Sequence, residues 1–473
     1  MIFLLRNAPR YTGATCGSPQ KTQTALSELS RRFRPDSKPR NVNPRTAKRT
    51  AAIRAFENSE GGAIVFRIVA RSLIAVVLLL LLGVGALAVS YFRPWATYRP
   101  SVMNSMFKPE NRVEFFRNMD RVFPKRDIAV SAAPAPFPKG EALALPASFE
   151  GKDGVEKTDA YLDRTDTTSL YVVKNGAMVF ESYYKGADRD SKFTSWSVAK
   201  SFIGTLAGMA LAEGKIKSLD DRADVYLSEL KGKDYGASTI RSLLQMASGV
   251  QFDETYHHPL SDINWFFYRT FILGQRANDV VLGRDRVAPP STRFKYISSD
   301  TQVLGAIVSR VYQQPIAKLI EQKIWQPLGM QSPAYWSIDR DRADGQEIGF
   351  CCLHATARDY AKYGQWHLQG GVWQGKPLLS REWVTQATTP SAEWQIPKVG
   401  DANAFGYGFK WWIPGWKEGE QQTEFLARGH WGQHIYVNTA KQVVIVRTSV
   451  DPKSQANTGT SMALYRAIAA SAR

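Results

Sequence analysis

From Ser72 to Phe92 the chain reads SLIAVVLLLLLGVGALAVSYF, 21 residues without a charge. About 20 such residues at 1.5 Å each match the hydrocarbon core of a bilayer, which predicts one transmembrane helix over residues 72–92. Ala86, Leu87 and Ala88 resemble a signal-peptidase site. Signal peptides, however, place their apolar core within the first ~15–30 residues, so the position favours an uncleaved anchor. Residues 1–71 mix Arg, Ser, Thr, Pro and Asn without sustained apolar periodicity and read as a disordered tail. After the span, residues 93–146 end in the Pro/Ala-rich AAPAPFPKGEALALP, which suits a stem, and a folded unit is expected over residues 147–473.

Within that unit, SLYVVKNGAMVFESYY holds two β-rich runs around Asn175-Gly176, a dipeptide that favours a type I′ hairpin. From Ser197, Phe202, Ile203, Leu206, Met209 and Ala210 recur at three- and four-residue steps before Gly214, as on a core-facing helix. Helical and loop patterns dominate to about Gly375. Strand patterns return in HIYVNTAKQVVIVRTSV, with a turn near Thr439–Lys441, and residues 458–472 read as a helix. The economical architecture is of mixed α/β (α+β) class: an antiparallel sheet built from both chain ends, flanked by helices, with a mostly helical region inserted between.

Charge sharpens the division. Residues 1–71 carry 14 Lys/Arg against 4 Asp/Glu, which is +10 of the chain's +18. The excess therefore belongs to the tail, where it suits anionic lipid headgroups, and nothing in the folded part calls for nucleic acid. Arg67 and Arg71 before the span put the N-terminus in the cytoplasm and the folded unit outside, the periplasmic side of a bacterial inner membrane. There are three cysteines; Cys16 lies before the span, and Cys351 and Cys352 are neighbours. Adjacent cysteines rarely meet disulfide geometry, so both are expected to be packed thiols.

The candidate chemistry starts from Ser-x-x-Lys, which begins at five places: Ser18, Ser105, Ser182, Ser197 and Ser228. Only Ser197 follows a hairpin and opens an apolar helix. There, Lys200 shares a helix face with Ser197 and can take its proton, provided burial or positive neighbours lower the amine's pKa. Free N–H groups at a helix start also face developing negative charge.

The segment TSWSVAKSF, from Thr194 to Phe202, resembles the active-site segment of serine β-lactamases and penicillin-binding proteins. Over roughly residues 110–470 the chain is most similar to class C β-lactamase-like proteins, and within them to 6-aminohexanoate-dimer hydrolases and related esterases. NRVEFFRNMDRVFP, LAEGKIKSLDDRADVYLSEL, SLLQMASGVQFDETY, FKYISSDTQVLGAIVSRV and HATARDYAKYGQ carry the likeness in the same order. The resemblance implies a β-lactamase/transpeptidase-like fold and a serine hydrolase that works through an acyl-enzyme without metal or other cofactor. It makes Ser197 the nucleophile, Lys200 its base, and Tyr296, in Tyr296-Ile297-Ser298, the proton relay. It also matches His430-Trp431-Gly432 to the third motif, with Gly432 admitting substrate and the Gln433 N–H joining that of Ser197 in an oxyanion hole. Tyr256, with His257, His258 and Asp262, resembles the substrate loop of the dimer-hydrolase branch. Because His430 replaces the lysine that attracts the carboxylate of a β-lactam, the expected substrate is a small ester or linear amide. β-Lactams and D-amino-acid peptides are the alternatives, as is a penicillin-binding receptor that is acylated without turnover.

Overall fold

The computed structural model describes residues 44–57, 59–93, 98–398, 400–401 and 403–472. The chain divides into two compact units, split near residue 95.

The first unit holds two helices, α1 (Pro44–Glu57) and α2 (Glu60–Phe92). The expected disorder of residues 1–43 lies outside the described residues, but residues 44–57 and 60–71 are helical. Four alanines in PRTAKRTAAIRAFE and a proline at its start favour α1 over disorder. The Ser59 hydroxyl accepts from Gly62 N and starts α2 well before the uncharged run, so residues 72–92 are the second part of a 33-residue helix. Its stretch Gly61–Phe92 is long and apolar enough to cross a membrane. Leu78 to Leu82 are all exposed along it.

The second unit is built on a seven-stranded antiparallel sheet from both ends of its chain. Its strands are β1 (Thr167–Lys174), β2 (Ala177–Tyr183), β3 (Phe405–Tyr407), β4 (Trp412–Pro414), β5 (Glu424–Gly429), β6 (Gln433–Asn438) and β7 (Val443–Ser449), in the order β3-β4-β5-β6-β7-β1-β2. Asn175 and Gly176 both take positive φ, 50° and 79°, and close the β1–β2 hairpin as their side chains predict.

Alternation along the central strands divides the core. Leu170 and Val172 of β1 face the helix α6 (Thr458–Ser471), where Met462, Leu464, Tyr465 and Ile468 cover them. Tyr171 and Val173 face the other way, into the larger core shared with α3 (Ala199–Ala212) and α5 (Ala357–Leu368). On α5, a Cβ at Gly364 would stand 2.7 Å from Val444 and 2.8 Å from Ile435, so glycine lets that helix lie close on the sheet. The inserted region between β2 and β3 contributes α3, α4 (Ser298–Tyr312) and α5. This is the expected two-ended sheet with a helical insertion.

The stem expected over residues 93–146 is not what residues 98–128 form. Lys125–Ile128 pairs antiparallel with Ala334–Ser337 in a second, four-stranded sheet. Met103, Met106, Phe116, Met119, Val122 and Phe123 build a satellite core with Tyr335 and Val450. These apolar residues are too scattered to show a period, and only the partner surface on the folded unit gives them a place to be buried. The folded unit therefore begins before residue 147.

Candidate active site

Ser197 stands at the turn between a short strand, Phe193–Thr194, and α3. Trp196 just before it has φ 43°, left-handed backbone that costs a large side chain ~1–2 kcal/mol. Packing holds it there. Phe107 stacks on the Trp196 ring at 6.4 Å and Phe116 meets it edge-on at 5.4 Å. The same two phenylalanines pack on Trp431 (φ 62°) at 6.0 and 5.4 Å, so the segment that reads as a stem braces both turns that flank the site.

Lys200 is buried one turn along. Its Nζ lies 2.9 Å from Ser197 Oγ, 3.1 Å from Ser298 Oγ and 3.0 Å from the Phe350 carbonyl oxygen. The faces of Tyr296 and Phe350 close over it at 5.0 and 5.3 Å. Burial lowers the amine's pKa to about 7, against a smaller upward pull from Glu254. At neutral pH a large fraction of Lys200 is thus free base, within hydrogen-bonding distance of the hydroxyl it would deprotonate.

Ser298, the first residue of α4, links Lys200 to an acid that the sequence reading did not single out. Glu254 Oε1 accepts from Ser298 Oγ at 2.5 Å and from the Tyr256 hydroxyl at 2.7 Å, while Oε2 accepts from Ser298 N at 2.8 Å. Tyr256 and Tyr296 both lie beside Ser197. Burial raises both phenol pKa values; Glu254 adds to the rise, and hydrogen bonding with Ser197 opposes it, so both phenols stay protonated. Tyr256 stacks on His430 at 4.6 Å, and burial, helped by Arg428, lowers that imidazole's pKa to about 4. His430 is neutral at pH 7.

Ser197, Glu254, Tyr256, Tyr296 and His430 line one cavity of about 250 Å³ with Trp412, Arg428, Gly429, His434, Ser454 and Gln455. A larger groove, about 410 Å³ around Arg276, Asp279 and Arg310, contains none of them. Gly432 and Gln433 are also outside the cavity. Gly432 sits in the β5–β6 turn, where a Cβ would meet Ser449, and the Gln433 side chain donates to the Ser449 carbonyl at 2.5 Å. The glycine that lies against the nucleophile is Gly429: a Cβ there would stand 2.3 Å from Ser195 O and 3.2 Å from Ser197 N. Strand register thus moves the expected close approach three residues back, to Gly429 and His430.

Asp262 does not reach the cavity either. Its carboxylate pairs with Arg284 at 2.5 Å and accepts from Asp253 N at 2.8 Å, which fixes the start of the helix Asp262–Phe271. Cys351 and Cys352 are joined as a vicinal disulfide rather than packed as thiols. The backbone turns into the left-handed region at Cys352 (φ 80°).

A family model described as β-lactamase matches residues 156–466. The chain belongs to the β-lactamase family. Within the family, it is 26% identical over 370 residues to a 6-aminohexanoate-dimer hydrolase of Paenarthrobacter ureafaciens, covering 76% of this chain and 90% of that one. A structure described as a 6-aminohexanoate-dimer hydrolase of Bacillus anthracis superposes with TM-score 0.68 at 26% identity, over 77% of this chain and 95% of that one. A penicillin-binding protein of Bacillus halodurans shares the fold alone, with TM-score 0.50 and 18% identity over 66% of this chain and 98% of that one. The chain is accordingly a hydrolase of β-lactamase fold, related to the 6-aminohexanoate-dimer hydrolases.

Proposed function

We propose that the chain is a membrane-anchored serine hydrolase that cleaves a small ester or linear amide through an acyl-enzyme on Ser197. The observation that carries this reading is the buried Lys200 amine, 2.9 Å from Ser197 Oγ with its pKa lowered to about 7. In the neutral form it takes the Ser197 proton as the oxygen attacks a carbonyl. The Ser197 N–H and the His430 N–H, on the strand end that Gly429 brings close, hold the oxyanion. Tyr296, protonated and beside Ser197, donates to the leaving group, and Tyr256, held by its hydrogen bond to Glu254, positions substrate. Water then takes the place of the leaving group and releases the acid, with the same groups acting in reverse.

The pH profile tests this assignment. With Lys200 required as free base, kcat/KM for a p-nitrophenyl ester should rise tenfold per unit below about pH 7 and level off above it. The two phenols stay protonated, so no fall is expected up to about pH 9. A profile flat from pH 5 to 8, or one falling across that range, would remove Lys200 as base.

The helix over Gly61–Phe92 supports an uncleaved anchor, with the basic segment before it in the cytoplasm and the folded unit outside. The expected result is that the full-length protein stays with membranes through an alkaline carbonate wash and is released by detergent. Recovery in the carbonate supernatant would rule out the anchor.

A further inference from the structure

The cavity beside Ser197 is lined by two residues that carry a formal charge at neutral pH, and their situations differ. Glu254 is engaged by Ser298 and Tyr256. Arg428 has no such partner: among the described residues its guanidinium makes no hydrogen bond and no ion pair. Its contacts are with ring faces, Trp412 at 5.3 Å and Phe405 at 5.6 Å, and Trp412 in turn stacks on Tyr296 at 5.1 Å. Layering on the rings holds the fork in place and leaves its N–H donors unused.

Position makes this cation useful. Arg428 lines the same cavity as Ser197, and its charge acts on Tyr296, whose hydroxyl lies beside that serine. An unpaired, partly buried arginine is costly to fold around unless an anion completes it. No carboxylate among the described residues does so, and His430 and His434 beside it are neutral because burial lowers both imidazole pKa values.

Resting on the hydrolase reading above, we infer that Arg428 is a specificity-determining residue that binds a carboxylate carried by the substrate a few bonds from the scissile ester or amide. A planar guanidinium meets a carboxylate through two parallel hydrogen bonds, which gives orientation as well as attraction. The substrate class narrows to acyl compounds bearing a free carboxylate. The positive charge that neutral His430 does not offer a substrate carboxylate is thus supplied by a different residue, one before the close-approach glycine.

Two p-nitrophenyl esters of adipic acid, one with its far carboxyl free and one with it methylated, test this on the full-length protein in detergent. Wild type should favour the free acid by roughly 10- to 100-fold in kcat/KM, mostly through KM. In Arg428→Gln the ratio of the two esters should fall to about one, and Arg428→Lys should keep part of it. Equal use of both esters by wild type, or a preference that survives Arg428→Gln, overturns the assignment. Turnover of the methylated ester by wild type reports separately on the hydrolase reading. If neither ester is turned over, that reading fails, and calorimetric titration with adipate decides for Arg428. Binding by wild type that is lost in Arg428→Gln supports the carboxylate site, and no binding by wild type overturns it.

Discussion

Ser197→Ala is expected to lower ester turnover by a factor on the order of 10⁴ or more, with the fold intact. The loss is large because, among the described residues, no other hydroxyl both lines the cavity and lies beside the Lys200 amine. Ser298 Oγ also lies near Lys200, at 3.1 Å, but it is tied to Glu254 at 2.5 Å and is fully buried at the start of α4. Alanine removes one oxygen from a turn held by Trp196, Phe107 and Phe116, so circular dichroism and the melting temperature should match wild type. Activity that survives the substitution would remove Ser197 as nucleophile.

Lys200→Met should cost about 10²- to 10⁴-fold in kcat, the range expected for a positioned general base. Methionine fills a similar volume in the buried slot between the rings of Tyr296 and Phe350, so the folding cost stays modest although the Phe350 carbonyl loses a donor. The diagnostic readout is the pH profile. Residual activity should lose the inflection near pH 7 that burial of the amine imposes. If the inflection persists in Lys200→Met, another group is the base.

Much of this arrangement is visible in the sequence, for identifiable reasons. The Asn175-Gly176 hairpin, the apolar helix after Ser197 and the strand pair at the C-terminal end are short-range patterns, each set by residues adjacent in the chain. Ser197, Lys200, Tyr256, Tyr296, Ser298 and His430 converge as the motif order suggests. What stays hidden depends on tertiary register. Gly429 and Gly432 are three apart, and only the pairing of Gly429 with Gln433 across β5 and β6 shows which of them touches the nucleophile. Glu254 sits in an ordinary-looking FDETY stretch, and Arg428 looks like any strand arginine until Trp412 and Phe405 enclose it. Residues 98–128 carry their apolar groups singly or in short pairs without a sustained period, so their contribution appears only with the surface they cover. Asp262 is near Tyr256 in sequence, but its carboxylate is committed to Arg284.

The most direct measurement is intact-protein and peptide mass spectrometry after a brief reaction with an activated ester, quenched in acid so that deacylation stops. The account predicts one added acyl group, located on the peptide containing Ser197 and absent from Ser197→Ala. An acyl group on any other residue, or turnover that continues in Ser197→Ala without an adduct, would contradict it.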